Sequence, residues 1–93
     1  MDIEKIESDY IEWGFSFDVG VINAGDGVNE AVHDDKHELV TMENGKYQFI
    51  IDSESFFQGG CVEVLIPAGA KHSIKNIGIN NSKIYYGYKP INN

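Results

Sequence analysis

A turn at Pro67 and Gly69, followed by a strictly alternating segment, constrains the fold of this chain more than any other part of its sequence. Proline fixes one backbone dihedral angle and glycine tolerates a positive one, so the pair predicts a sharp turn. After the turn, lysine and serine residues alternate with His72, Ile74 and Asn76, which is the side-chain period of a β-strand. Because the lysine face belongs in water, His72 is predicted to point into the protein, as a hydrogen-bonded core residue or as a ligand.

Most of the remaining sequence has the same period of two. Alternation over residues 11–21 predicts one long strand, or two strands divided at a glycine, whereas residues 3–10 have only a weak helical pattern. Shorter strands are predicted at residues 38–42, 46–52, 62–66, 72–76 and 84–89, with a short extended piece at 56–57 and turn-forming residues between them. Such closely spaced strands predict an antiparallel barrel or sandwich, and the length predicts a single domain over residues 1–93.

Charge and composition exclude several classes of partner. The formal net charge is −8 and all seven basic residues are lysines, so nucleic acid would be repelled and no arginine is present to clamp an anion. No apolar stretch approaches the roughly 20 residues of a membrane-spanning helix, and the acidic N-terminus does not resemble a secretory signal. Cys61 has no second cysteine to pair with, which predicts an unreactive buried thiol in a cytoplasmic protein.

The segment around His72 resembles a conserved motif of a known family. Gly60, followed by the pattern Pro67-x-Gly69-x-x-His72-x-x-x-Asn76, is similar to the second motif of the cupins. The first cupin motif contains a glycine, a His-x-His pair, a glutamate and a second glycine. It is only partly present in this sequence, although the resemblance as a whole covers roughly residues 20–90.

The first motif fits the sequence without a gap when its glutamate is Glu38. Six residues then lie between Glu38 and Gly45, which takes the position of the second glycine. Four residues lie between His33 and Glu38, so His33 takes the position of the second histidine. In this register Ala31 stands where the first histidine of the pair belongs, and Gly25 stands at the leading glycine.

The resemblance implies an all-β fold, the double-stranded β-helix (jelly-roll) barrel of the cupins. In metal-binding cupins the histidines and the glutamate of the two motifs hold a divalent metal ion. Carried over to this sequence, the ligands are His33, Glu38 and His72, and Ala31 leaves one position without a donor. Two imidazoles and a carboxylate suit zinc, iron, manganese or nickel.

The residue that replaces the missing ligand stays open at this point. A second register begins at Gly27 and makes His33-x-Asp35 the metal-binding pair, but it leaves only two residues before Glu38. His37 precedes Glu38 on a predicted strand and should face the opposite way, unless the turn before it twists the side chain inward. We favour the ungapped register.

These observations predict a small cupin barrel that binds a divalent metal ion and a small organic molecule in its cavity. Tyr86 and Tyr88 are predicted to line the barrel, where they either shape a ligand pocket or fill the core, and Trp13 and Phe15 to pack within the barrel or across a dimer. The alternative is a non-catalytic binding or sensor barrel without metal, and the sequence does not decide whether the protein catalyses a reaction. We expect a homodimer, because small cupins cover their exposed strand edges by pairing.

Overall fold

The computed structural model describes residues 2–60 and 62–91, so the predicted buried thiol of Cys61 lies outside the described residues. Within them, one helix precedes a series of strands. The elements are α1 (Ile3–Glu12), β1 (Asp18–Ile22), β2 (Gly27–Ala31), β3 (Lys36–Met42), β4 (Lys46–Ile51), β5 (Glu54–Gly59), β6 (Glu63–Ile66), β7 (His72–Asn76) and β8 (Ser82–Pro90). The helix α1 is not long and apolar enough to cross a membrane.

The strands form two four-stranded antiparallel sheets, with the orders β1-β8-β3-β6 and β2-β7-β4-β5. Apolar side chains from both sheets pack between them, because alternate residues of each strand point to the same face. The all-β prediction is confirmed. The buried core consists of Ile22, Val40, Met42, Tyr47, Phe49, Val64, Ile66, Ala70, Ile74 and Ile84.

The strand predicted over residues 11–21 is wrong in its first half, because the helix α1 extends to Glu12. Asp2 caps the helix by accepting hydrogen bonds from the backbone N–H groups of Glu4 and Lys5, at 3.1 and 3.3 Å. The Lys5 ammonium also contacts the Asp9 carboxylate at 3.0 Å, one helical turn further on. The strand prediction rested on apolar residues at every second position, and such a pattern does not indicate local hydrogen bonds of this kind.

Gly14 ends the helix at a point where the sequence predicted a strand that either continues or divides at a glycine. Its φ of +89° lies in the left-handed region, and its N–H donates to the Ile11 carbonyl. The next N–H, of Phe15, donates to the Tyr10 carbonyl, and the two rings pack at 6.3 Å between centroids. These bonds turn the chain back, so that the strand begins only at Asp18.

The helix covers the outer face of the first sheet through Tyr10, which is fully buried. The Tyr10 hydroxyl lies 2.7 Å from the Thr41 hydroxyl, and its ring packs edge-on against Phe17 at 5.3 Å. Consequently both faces of β3 are buried from Glu38 to Met42, although the strand alternates. Trp13 lies at the end of this helix and is 44% exposed, so it does not pack inside the barrel as one reading expected.

The strand β2 was not predicted from the sequence. All of its residues except Ala31 are exposed, so the strand carries no apolar alternation to detect. Its pairing with β7 also shifts register between Val28 and Ala31. The short piece predicted at residues 56–57 belongs to the longer strand β5.

We predict that Gly87→Ala destabilises the fold. A Cβ atom at Gly87 would overlap the Ser16 carbonyl oxygen and lie 3.1 Å from the Tyr10 ring. Overpacking of this kind costs about 1–3 kcal/mol in the free energy of unfolding. The control is Gly59→Ala, where a Cβ meets nothing within 4 Å and the change should stay within about 0.5 kcal/mol. Urea unfolding measures both, and equal stability of the two variants would contradict the packing described here.

Candidate metal centre

His72 is the first residue of β7, and it is buried, with 3% of its surface exposed. The strand alternates as predicted, with His72, Ile74 and Asn76 buried and Lys75 exposed. The His72 Nδ1 atom lies 3.3 Å from the Ala70 carbonyl oxygen, within the turn that precedes the strand. The backbone of the turn therefore orients the imidazole with its Nε2 atom facing inward.

Glu38 reaches the same point from the other sheet. It lies on β3, between Ile66 of β6 and Tyr88 of β8, and only 8% of its surface is exposed. His33 lies in the connection between β2 and β3. The Gly69 N–H donates to the His33 carbonyl at 2.9 Å, so the turn before β7 also holds this loop.

The three side chains converge on one carboxylate oxygen. The Glu38 Oε1 atom lies 3.1 Å from the His72 Nε2 atom and 3.6 Å from the His33 Nε2 atom. The imidazole rings lie 5.3 Å apart between centroids. One ligand atom from each residue lies within 4.8 Å of the others, which is the spacing of a potential metal site.

Burial and the imidazoles act in opposite directions on Glu38. Burial raises the pKa of its carboxyl group above the usual range, because a charge loses its hydration. The positive charge that His72 and His33 can carry, and hydrogen bonds from His72 and Tyr88, oppose this rise in the pKa. Glu38 is therefore a buried acid that depends on its neighbours to remain ionised.

The donor atoms fit a divalent cation. A carbonyl oxygen only accepts, so the contact with Ala70 places a proton on the His72 Nδ1 atom. The His72 Nε2 lone pair then faces the Glu38 oxygen, and a shared proton or a cation must lie between them. Neutral imidazole and carboxylate are ligands of zinc and of the neighbouring transition metals, and an Nδ1–H bond to a carbonyl is the usual support for a metal-binding histidine.

The structure is similar to solved structures of cupins. A cupin domain of Cnp3 from Schizosaccharomyces pombe matches with a TM-score of 0.79 and 22% identity, over 84% of this chain and 57% of that chain. A predicted oxalate decarboxylase from Thermotoga maritima matches with a TM-score of 0.78 and 15% identity, over 90% of this chain and 74% of that one. A cupin protein from Bacteroides fragilis matches with a TM-score of 0.73 and 19% identity, over 83% and 66%.

The chain has the cupin fold. No family model matches the sequence, and neither does any curated protein. The chain spans only 57% of the length of the Cnp3 cupin domain chain. At these identities the likeness establishes the double-stranded β-helix architecture, and the chemistry of the site must be argued from its own residues.

A cavity of about 380 Å³ opens next to the three converging side chains of this cupin fold. Tyr86 and Tyr88 line it, with their rings 6.2 Å apart. The Tyr88 ring packs edge-on against His33 at 5.2 Å between centroids. The alternation predicted the direction of the Tyr88 side chain, but it could not identify the His33 ring as its neighbour.

Neither alternative for the missing ligand joins the other three residues. His37 faces the opposite side of β3, where its Nδ1 atom accepts a hydrogen bond from the Ala68 N–H at 2.9 Å. Asp35 is exposed and is not among the described residues whose ligand atoms converge. Ala31 does line the cavity and is the strand partner of His72, so the geometry agrees with the ungapped register.

Asn76, the last residue of the second motif, has a structural role away from the cavity. Its side-chain amide donates to the carbonyls of Ile22 and Asn80, at 3.0 and 2.9 Å. Its side-chain oxygen accepts from the Gly78 N–H at 2.9 Å. The alternation predicted that Asn76 points inward, but only the structure identifies these partners.

We predict that Glu38 titrates above the usual glutamate range in the metal-free protein, because it is buried. His72→Ala should raise the pKa further, since His72 provides the largest opposing effect. The folded state then binds this proton more tightly than the unfolded chain. The free energy of unfolding therefore falls as the pH rises from the ordinary glutamate pKa through the raised one.

Carbon NMR of the Glu38 side-chain carboxyl measures this titration directly. His37→Asn is the matched control, because the asparagine oxygen can replace the Nδ1 acceptor for Ala68 on the far face of β3. A Glu38 midpoint below the ordinary range, or one that falls in His72→Ala, would contradict the description of the site.

Proposed function

We propose that this protein binds a divalent metal ion through His33, Glu38 and His72, next to a cavity that takes a small organic molecule. The observation that carries the proposal is the approach of two imidazole Nε2 atoms to one buried carboxylate oxygen, at 3.1 and 3.6 Å. Zinc, iron, manganese and nickel are the candidate ions, because all accept this set of ligands.

The number of donors supports a site that exchanges ligands. Three protein ligands leave coordination positions for water or for a bound molecule, whereas structural zinc sites use four. A metal held in this way supplies Lewis-acid chemistry to a molecule in the cavity. Glu38 would then act as a ligand and not as a free base. If the protein catalyses a reaction, the type of reaction would depend on other groups.

A second function is a binding or sensor barrel without metal. It is favoured by the 3.1 Å contact between Glu38 and His72, which can satisfy both groups as a hydrogen-bonded pair when a proton lies between them. The alanine at position 31, where the resemblance expects a ligand, favours it as well.

We predict that the purified protein binds Co²⁺ or Zn²⁺ at one site and that His72→Ala weakens this binding at least about tenfold, or about 1.4 kcal/mol. Truncation removes one of the three donors and leaves the carboxylate buried. Isothermal titration calorimetry measures the affinity, and His37→Asn, a histidine variant outside the site, should bind as the wild type does. Absence of binding, or equal binding by His72→Ala, would reject the metal site. A small molecule that stabilises the protein only in its metal-free form would then favour the second function.

A further variant adds the missing donor. Ala31 lies opposite His72 in the pairing of β2 with β7, and the side chains of such partners lie about 4.5–5.5 Å apart between Cβ atoms. We predict that Ala31→His raises the affinity for Zn²⁺ about tenfold or more. Val32→His is the control, because Val32 is 41% exposed and does not line the cavity. Equal gains in the two variants would show that the new histidine does not reach the site.

A further inference from the structure

We infer that the cavity selects a molecule with one metal-binding group at one end and an uncharged, apolar body, and that it rejects dianions such as small dicarboxylates. This inference rests on the proposed metal site and deepens it by naming the class of ligand. It separates this chain from the activity in the name of the Thermotoga maritima protein, a predicted oxalate decarboxylase, because oxalate carries two carboxylates.

The wall of the cavity is mostly apolar. Beyond the converging residues and the two tyrosines, aliphatic side chains and small residues line it, chief among them Ile22, Val28, Ile74 and Ile84. Aliphatic walls favour an apolar body by about 25 cal/mol for each Å² that it removes from water. A charged group against such a wall loses its hydration without gaining a partner.

Few charges face the cavity. Among the residues that the structure describes, Glu38 is the only Asp, Glu or Lys that lines it, and the sequence contains no arginine. A divalent ion together with the Glu38 carboxylate leaves one positive charge, which compensates a single negative charge on the ligand. A second carboxylate would remain uncompensated in a partly desolvated site, where a buried charge is costly.

Lys36 does not supply the missing positive charge within the cavity. Its ammonium lies 4.3 Å from the centroid of the Tyr88 ring, in a cation–π contact, and Lys36 is not among the lining residues. The net charge of −8 further disfavours the entry of anions.

The cavity has space beside the three ligand residues. Ala31 lines the cavity opposite His72, so a methyl group stands where a longer side chain would fill the wall. This leaves room next to the metal ligands for the binding group of the molecule, while its apolar part lies along the aliphatic side chains.

Three hydroxamic acids test the inference on the Co²⁺-loaded protein, followed by the visible spectrum of the bound ion. Hexanohydroxamic acid carries an apolar tail, adipic monohydroxamic acid replaces the end of that tail by a carboxylate, and acetohydroxamic acid has almost no tail. We expect the hexano compound to bind at least tenfold more tightly than the aceto compound, and the adipic compound to bind no more tightly than the aceto compound.

A lysine placed in the wall provides the matched variants. Val28 lines the cavity, pairs with the buried Ile74 of β7 and is 45% exposed, so Val28→Lys is expected to fold and to gain at least about tenfold affinity for the adipic compound. Val19→Lys is the control, since Val19 of β1 is 46% exposed and does not line the cavity.

The outcomes separate this inference from the proposed function. Absence of Co²⁺ binding, or Co²⁺ binding that survives His72→Ala, overturns both. If Co²⁺ binds at the site, the inference alone fails when the adipic compound binds as tightly as the hexano compound. It also fails if hexanohydroxamic acid removes the ion, or if Val19→Lys gains as much affinity for the adipic compound as Val28→Lys.

Discussion

The buried carboxylate of Glu38 is the feature on which the rest of the site depends. A glutamate with 8% of its surface exposed is stable in a protein interior only when neighbouring groups compensate its charge or keep it protonated. Three residues on different elements of the fold provide that compensation. His72 comes from the facing sheet, His33 from the connection that enters β3, and Tyr88 from the neighbouring strand β8.

The arrangement depends on the turn before β7 as much as on the strands. The Ala70 carbonyl faces the His72 ring, and the Gly69 N–H holds the backbone of His33. One short segment thus orients the His72 imidazole and holds the backbone of His33, and the Nε2 atoms of both residues approach the same oxygen. Because these supports are already in place, a cation entering the site would meet ligands that need little reorganisation.

The parts of the structure that follow from side-chain period were predictable from the sequence, and the parts that depend on local hydrogen bonds were not. The alternation around His72 correctly gave its inward direction, and the spacing of the second motif gave the architecture that the similar structures confirm. The helix α1 was indicated only weakly over residues 3–10 and its end at Glu12 was not predicted, because Asp2 at one end and Gly14 at the other define it through backbone contacts. The strand β2 was missed because its exposed residues give no apolar signal.

The candidate site was predictable in its members and not in its surroundings. The resemblance to cupins assigned His33, Glu38 and His72 together, and the structure brings them to one point. The sequence could not decide whether Asp35 or His37 replaces the ligand that is missing at Ala31, since that depends on how the turn before β3 directs each side chain. The homodimer and the cytoplasmic location stay predictions.

The most direct test of the account is a crystal structure of the protein grown with Co²⁺, with anomalous scattering measured on both sides of the cobalt absorption edge. The account predicts one strong anomalous peak within bonding distance of the His33 Nε2, Glu38 Oε1 and His72 Nε2 atoms. An ordered site without a peak, with His72 and Glu38 still in direct contact at about the 3.1 Å seen here, would contradict it.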